Sequence, residues 1–269
     1  MVYDAGGWFF ARKIPCPVIA AGCDTMSAPK KQRTDGAAST PPLLKVRTIT
    51  AGITLCRGEP IEARLDKIRR AAKFVETASA RFTFAGFDVQ TTRLSTNSFV
   101  EWCDVEDAAG TLEAFRTIDQ ELVSLGVGLF NAGPATSAAA LLLVPDIISL
   151  GPRVSCSGAL VDPLDAEGAA RLADTIISIA ACTAGGEGNF QFCASFNVPP
   201  GIPFFPAAYH AGPPSFAIGC ETSAILAMAL PCAGGNLTKA RALVTSSFEA
   251  QMAPLELIAK ELRWARLSL

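Results

Sequence analysis

A single histidine, His210, stands in this chain of 269 residues, and that scarcity excludes a good deal. A Cys2His2 zinc site needs two imidazoles, so none can form. The nine cysteines contain no C-x-x-C pair, and their number is odd. Irregular spacing with an odd count argues against a secreted disulfide framework. It predicts reduced, mostly buried thiols in a cytoplasmic compartment. Charge is scarce as well. Lys and Arg total 23 against 25 Asp and Glu, for a net charge of −2. A nucleic-acid partner would need a basic surface, and this composition offers none. Long apolar runs are also missing. The uncharged stretch 122–145 is cut by Asn131-Ala132-Gly133-Pro134, and the stretch 188–220 holds six prolines. Neither supplies about 20 uninterrupted apolar residues, so no membrane span is expected.

What is present is apolar bulk with a strand–helix rhythm. Half of the residues are hydrophobic, and a chain of this size can bury roughly three quarters of its unfolded surface. Residues 1–42 show no periodicity and read as a disordered or targeting leader. An organelle address there is an open alternative to a cytoplasmic location, and Met26 would serve as a second start. Residues 43–269 read as one α/β domain.

From Lys45 the patterns alternate. Strands are expected at 45–55, 87–94, 127–133, 153–161, 189–198 and 215–220. Helices are expected at 61–75, 111–125, 136–144, 166–182, 222–230 and 238–262. Pro145 should stop one of them and Pro254 should break another. The sequon at Asn236 reads as a helix start capped by Thr238 rather than a glycosylation site. Strands separated by helices need crossover connections, so the sheet should be mainly parallel.

The strands are not solid apolar runs, as parallel strands covered on both faces usually are. In 45–55, Ile49, Ala51, Ile53 and Leu55 share a face, and Thr48, Thr50, Gly52 and Thr54 share the other. In 189–198, Phe190, Phe192, Ala194, Phe196 and Val198 alternate with Gln191, Cys193, Ser195 and Asn197. Ser155 and Ser157 repeat the pattern. A face of small hydroxyl, thiol and amide groups suits a barrel interior holding water or a polar ligand. A one-layer sheet with a solvated face is the alternative.

The order of three elements resembles a known family. "VRTITAGITL" comes first, then "RVSCSGALV" with "DAEGAARLADTIISIA", then "NFQFCASFNVPPGIPFFPAAYHAGPPSFAIG". Together they resemble the domain of unknown function 711 family, also labelled pyruvate formate-lyase-like. Arg47 to Ile53 match its R-T-I-T-x-G-I start, and Pro206-Ala207-Ala208-Tyr209-His210 match its proline, small-small-aromatic-histidine element. The glycine expected directly after the histidine is displaced to Gly212. The resemblance implies a ten-stranded α/β barrel built from two halves, of which this chain would be the N-terminal one. It implies no radical chemistry, since the sequence has no glycyl-radical loop, and it carries no reaction with it.

Several residues are candidates for chemistry. His210 can act as a general acid or base, or merely tie down a loop. Cys193 lies in the polar row and would be a nucleophile only beside a base; otherwise it is packing. Thr48, Thr50, Gln191, Ser195, Asn197 and Glu221 are candidates for hydrogen-bonding a substrate. Arg47 falls on the apolar face by alternation, where it would cap the sheet, pair with a carboxylate or bind an anion. No spacing supports a metal set, and no cofactor is indicated. "AGGEGN" at 184–189 lacks the Lys-Ser/Thr of a phosphate loop and reads as a turn. These features together predict an enzyme or enzyme-derived barrel acting on a small polar metabolite. A binding module without chemistry, or an inactive fragment, are the alternatives. A small-molecule ligand is the expected partner, and open sheet edges suggest a homodimer.

Overall fold

A computed structural model describes residues 2–3, 44–160 and 165–262. Of the expected leader only Val2–Tyr3 is described, as a two-residue strand (β1); the rest of 1–42 lies outside the described residues. The remaining strands are β2 Lys45–Ile53, β3 Val89–Thr96, β4 Leu129–Ala135, β5 Val154–Leu160, β6 Phe192–Phe196 and β7 Ser215–Glu221. The helices are α1 Ile61–Phe84, α2 Ala108–Ser124, α3 Ala138–Ser149, α4 Ala166–Cys182, α5 Ser223–Cys232 and α6 Leu237–Glu261.

Strands β2 to β6 lie side by side in chain order and are all parallel. Each link between neighbours is a helix, joined by a 3-10 turn in the links from β3 to β4 (Phe99–Glu101) and from β5 to β6. Right-handed crossovers that always step the same way put their helices on one face and leave the opposite face bare. The result is a curled, six-stranded half-barrel. Strand β7 departs from the rhythm: it pairs antiparallel with β2, at the sheet edge opposite β6. The chain between β6 and β7 therefore crosses the whole sheet, and it does so over the bare, concave face. Val2–Tyr3 pairs antiparallel with the outer side of β7.

The core sits between the convex face and the helices. On α1, Leu65, Ile68, Ala72 and Val75 form the expected stripe, and Ala78 and Phe82 prolong it. That continuation explains why the helix runs to Phe84 rather than ending at 75. Trp102, Phe99 and Phe115 make a tilted and edge-on aromatic cluster at the end of β3 and on α2.

Four expectations need correction. Helix α3 does not stop at Pro145. Ala140, Val144, Ile147 and Ile148 are all buried, and that burial outweighs the one backbone bond the proline removes. Helix α6 likewise passes through Pro254, and its cap is Asn236, whose side chain accepts from Lys239 N at 2.9 Å. Strand β6 is half its expected length, because Gly185 and Gly186 adopt positive φ and residues 184–191 wind as a 3-10 stretch. Phe190 is consequently 89% exposed instead of lying on the apolar face. Finally, the cysteines are not mostly buried. Of the seven described, Cys56, Cys182 and Cys232 are exposed.

Arg47 is explained by a bulge. Between Val46 and Thr48 the register of β2 against β7 shifts, with β2 carrying the extra residue. Val46 stays in the core, while Arg47 is turned out of it and exposed. Among the described residues no helix is long and apolar enough to cross a membrane.

Candidate functional site

The concave face carries small polar residues at one level. Cross-strand pairing aligns Ser215, Gly52, Ser95, Asn131 and Ser155 along neighbouring strands. The proline-rich segment from β6 to β7 folds down onto this row. Ile202 and Tyr209 form an isolated antiparallel bridge, and Gly201 N donates to Tyr209 O at 2.8 Å. Three anchors hold the segment to the sheet. Asn131 Nδ2 donates to Pro206 O at 2.7 Å. The Arg93 guanidinium stacks 5.1 Å from the Phe205 ring centroid. His210 N donates to Thr96 O at 2.9 Å.

These anchors drive His210 inward, leaving it 5% exposed. Its ring lies flush on the backbone of Gly52, so close that a Cβ built there would fall 2.3 Å from Nδ1. Glycine at 52 is thus a seat for the imidazole. Nε2 lies 3.2 Å from Gly212 O, and a carbonyl can only accept, so Nε2 carries the proton. Gly212 O is itself fixed by Thr54 Oγ1, which donates at 2.8 Å. The lone pair of Nδ1 then faces the Ser215 hydroxyl at 3.5 Å. Burial lowers the His210 pKa, against the opposing pull of the Gly212 and Pro213 carbonyls, and keeps the ring neutral.

Around the ring, Thr50, Ser95, Ser215, Tyr209, Ile202 and Pro203 line a cavity of about 20 Å³. That is the room one water needs. Thr50 Oγ1 and Ser95 Oγ are buried in it without a hydrogen-bond partner. An unpaired buried hydroxyl is costly, so two in one small cavity mark a place built to meet a polar group.

The structure brings together only some of the expected residues. Thr50 and His210 share the cavity. Thr48 is buried against Gly219, further along β2. Cys193 stands on β6, three strands from β3 and so roughly 14 Å from the edge of the histidine's site. Desolvation raises its thiol pKa, which disfavours the thiolate a nucleophile requires. Gln191 donates to the carbonyls of Gly151 and Val154, and Ser195 Oγ donates to Gly158 O; both serve the sheet. Asn197 ends β6 in a left-handed conformation, its N bonded to Leu160 O. Glu221 lies opposite Lys45 at the far end of β7. Ser95, Ser215, Tyr209 and Gly52 were not anticipated. Ser95 follows the alternation that marked Thr50, one strand over, and that signal was there to read.

The family model described as Uncharacterised ACR (DUF711) matches residues 41–262. The chain belongs to this family. The match contains every element from β2 to α6, including the segment that carries His210. No curated protein matches the chain significantly.

Proposed function

We propose that the concave face is the site of an enzyme, or enzyme-derived domain, that acts on a small polar metabolite by proton transfer through His210. One observation carries this reading: a buried, neutral imidazole, whose Nδ1 lone pair meets only the Ser215 hydroxyl at 3.5 Å, borders two hydroxyls that lack partners. Nδ1 is the general base, and the Gly212 carbonyl on Nε2–H holds the tautomer and angle. Thr50, Ser95 and Ser215 supply hydrogen bonds to substrate. The cavity has room for one water only, so binding anything larger requires residues 201–210 to lift from the sheet and close again. The same closure favours a second reading, a binding domain that clamps a ligand without transforming it.

Replacing His210 with Gln decides between function and mere loop anchorage. For a functional histidine, the melting temperature stays within a few degrees of wild type and every metabolite-induced shift or turnover is lost. For an anchor, stability falls by about 1–3 kcal/mol and ligand responses persist. The pH dependence is a second readout. The folded-state pKa lies below the ordinary 6.5, so the unfolded chain takes up this proton first as pH falls. Stability is therefore full above 6.5, declines as pH drops toward the folded value, and levels off below it. His210→Gln should flatten that part of the curve.

We also read the half-barrel as part of a ten-stranded barrel. The outer edge of β6 pairs with no strand among the described residues, and Phe196 beside it is 50% exposed. Such an edge invites another chain, and a second copy is the simplest. Sedimentation velocity should show concentration-dependent dimers; a monomer throughout the micromolar range would count against this.

A further inference from the structure

Two arginines beside the site have no carboxylate. Elsewhere in the fold Arg69 takes Glu121, Arg153 takes Asp119, and Arg57 and Arg64 cap carbonyls, while Arg70 and Arg241, which also lack a partner among the described residues, are exposed to solvent. Arg93 is half-buried, yet its one hydrogen bond is from Nε to Thr91 Oγ1 at 3.4 Å. Its remaining donors meet no acceptor among the described residues. The Phe205 ring covers one face of the guanidinium and fixes its plane, which leaves the donor edge free. Arg47 is brought to the same neighbourhood by the bulge in β2. Its carbonyl accepts from Thr91 Oγ1 at 3.0 Å, and Thr91 is two residues from Arg93 on β3. Two like charges on adjacent strands repel, and burial of Arg93 sharpens the cost.

The arrangement is joined to the histidine's cavity. Thr50 is the cross-strand partner of Arg93, and Gly52, the seat of His210, lies two residues further on. Two strand residues span about 7 Å. Thr50 belongs to both: it is paired with Arg93 and lines the cavity with His210, and its Oγ1 is buried without a partner.

From this juxtaposition we infer that Arg93 and Arg47 form an oxyanion subsite, so that the substrate is a small molecule bearing a carboxylate or phosphate beside the group His210 deprotonates. The inference rests on the concave face being the functional site. The planar edge of Arg93 suits bidentate recognition of either group, and Arg47 adds charge at the open side. Binding an anion also relieves the repulsion between the two guanidiniums.

The test titrates the whole chain with sodium phosphate and, separately, sodium acetate, at constant ionic strength in sodium chloride, by calorimetry. Saturable binding of at least one anion is expected; the stronger of the two identifies the headgroup. Arg93→Gln should weaken it at least about tenfold, as expected for loss of a charge-assisted bidentate contact. Arg47→Gln should weaken it several-fold. Arg47→Gln should melt no lower than wild type, since it removes like-charge repulsion; Arg93→Gln removes the same repulsion but also the anchor on Phe205, and should melt within a few degrees of wild type, so a lost signal is not lost folding. Arg93→Lys should recover part of the affinity. Anion binding unchanged in both glutamine variants, or absent from wild type, overturns the subsite. His210→Gln should retain anion binding within about twofold. The subsite and the proton-transfer role therefore fail separately: one in anion affinity, the other in turnover.

Discussion

Gly52→Ala should expel His210 from its cavity and abolish whatever the site does. The added Cβ would stand 2.3 Å from Nδ1 and 2.7 Å from Cγ, far inside contact distance. Gly52 does not adopt positive φ, so the backbone itself accepts alanine. In a strand, alanine would then stabilise by about 0.4–1 kcal/mol through the unfolded state. The ring clash reverses that sign. The imidazole is pinned on three sides, by Gly212 O, Ser215 and its own backbone bond to Thr96, so it cannot slide. An overpacking cost of about 1–3 kcal/mol is expected, with loss of ligand response as complete as in His210→Gln. The double variant Gly52→Ala, His210→Ala is the control. With the ring gone, alanine at 52 should regain stability relative to His210→Ala alone. Thermal melts of the four proteins form a cycle, and strict additivity would show that the two residues do not touch.

Gly133→Ala should be strongly destabilising. Gly133 has φ of 73°, a region where alanine costs about 1–2 kcal/mol. A Cβ there would also meet backbone on the neighbouring turn: Ser98 N at 2.7 Å, and Asn97 C and O at 2.8 Å. Backbone cannot rotate aside as a side chain can. The turn it would push is heavily tied. Asn97 exchanges hydrogen bonds with both backbone groups of Leu55 and donates to Glu101, and Ser98 Oγ donates to Pro134 O. A loss of about 3 kcal/mol or more is expected, near 10 °C of melting temperature at about 2–4 °C per kcal/mol. The damage should reach the site, because Thr96, the backbone partner of His210, adjoins this turn. A drop below about 3 °C would mean that the turn relaxes freely.

The sequence disclosed the half-barrel because its signals were periodic. Ile49, Ala51 and Ile53 face helices and Thr48 and Thr50 do not, and that alternation required nothing beyond side-chain direction along a strand. Helix α4 was legible to the residue, with Asp165 capping it through Glu167 N and Gly168 N. Prolines misled, at 145 and 254, since tertiary burial overrode a local preference. The site was half legible. His210 stood out by rarity, and Thr50 by its row. Ser95 could be read from the same alternation on β3, whereas Ser215 meets His210 only because β7 returns antiparallel and docks on β2, a long-range pairing that no local pattern encodes. Gln191, Ser195 and Asn197 had the right chemistry on the wrong strand, at the far side of the curl.

That returning strand also governs when the protein can be finished. Ile49 of β2 pairs with Ile218 of β7, about 170 residues later in the chain. At about 5–20 residues per second, a ribosome delivers β7 roughly ten to thirty seconds after β2. During that interval β2 can pair with β3, but its other side lacks β7 as a partner. The seat at Gly52 likewise stands open, because His210 arrives only just before β7 does. The nascent chain therefore passes through a long stage in which the parallel sheet can grow but its closing edge cannot be sealed, and this is the stage at which chaperone demand and co-translational mispairing should concentrate.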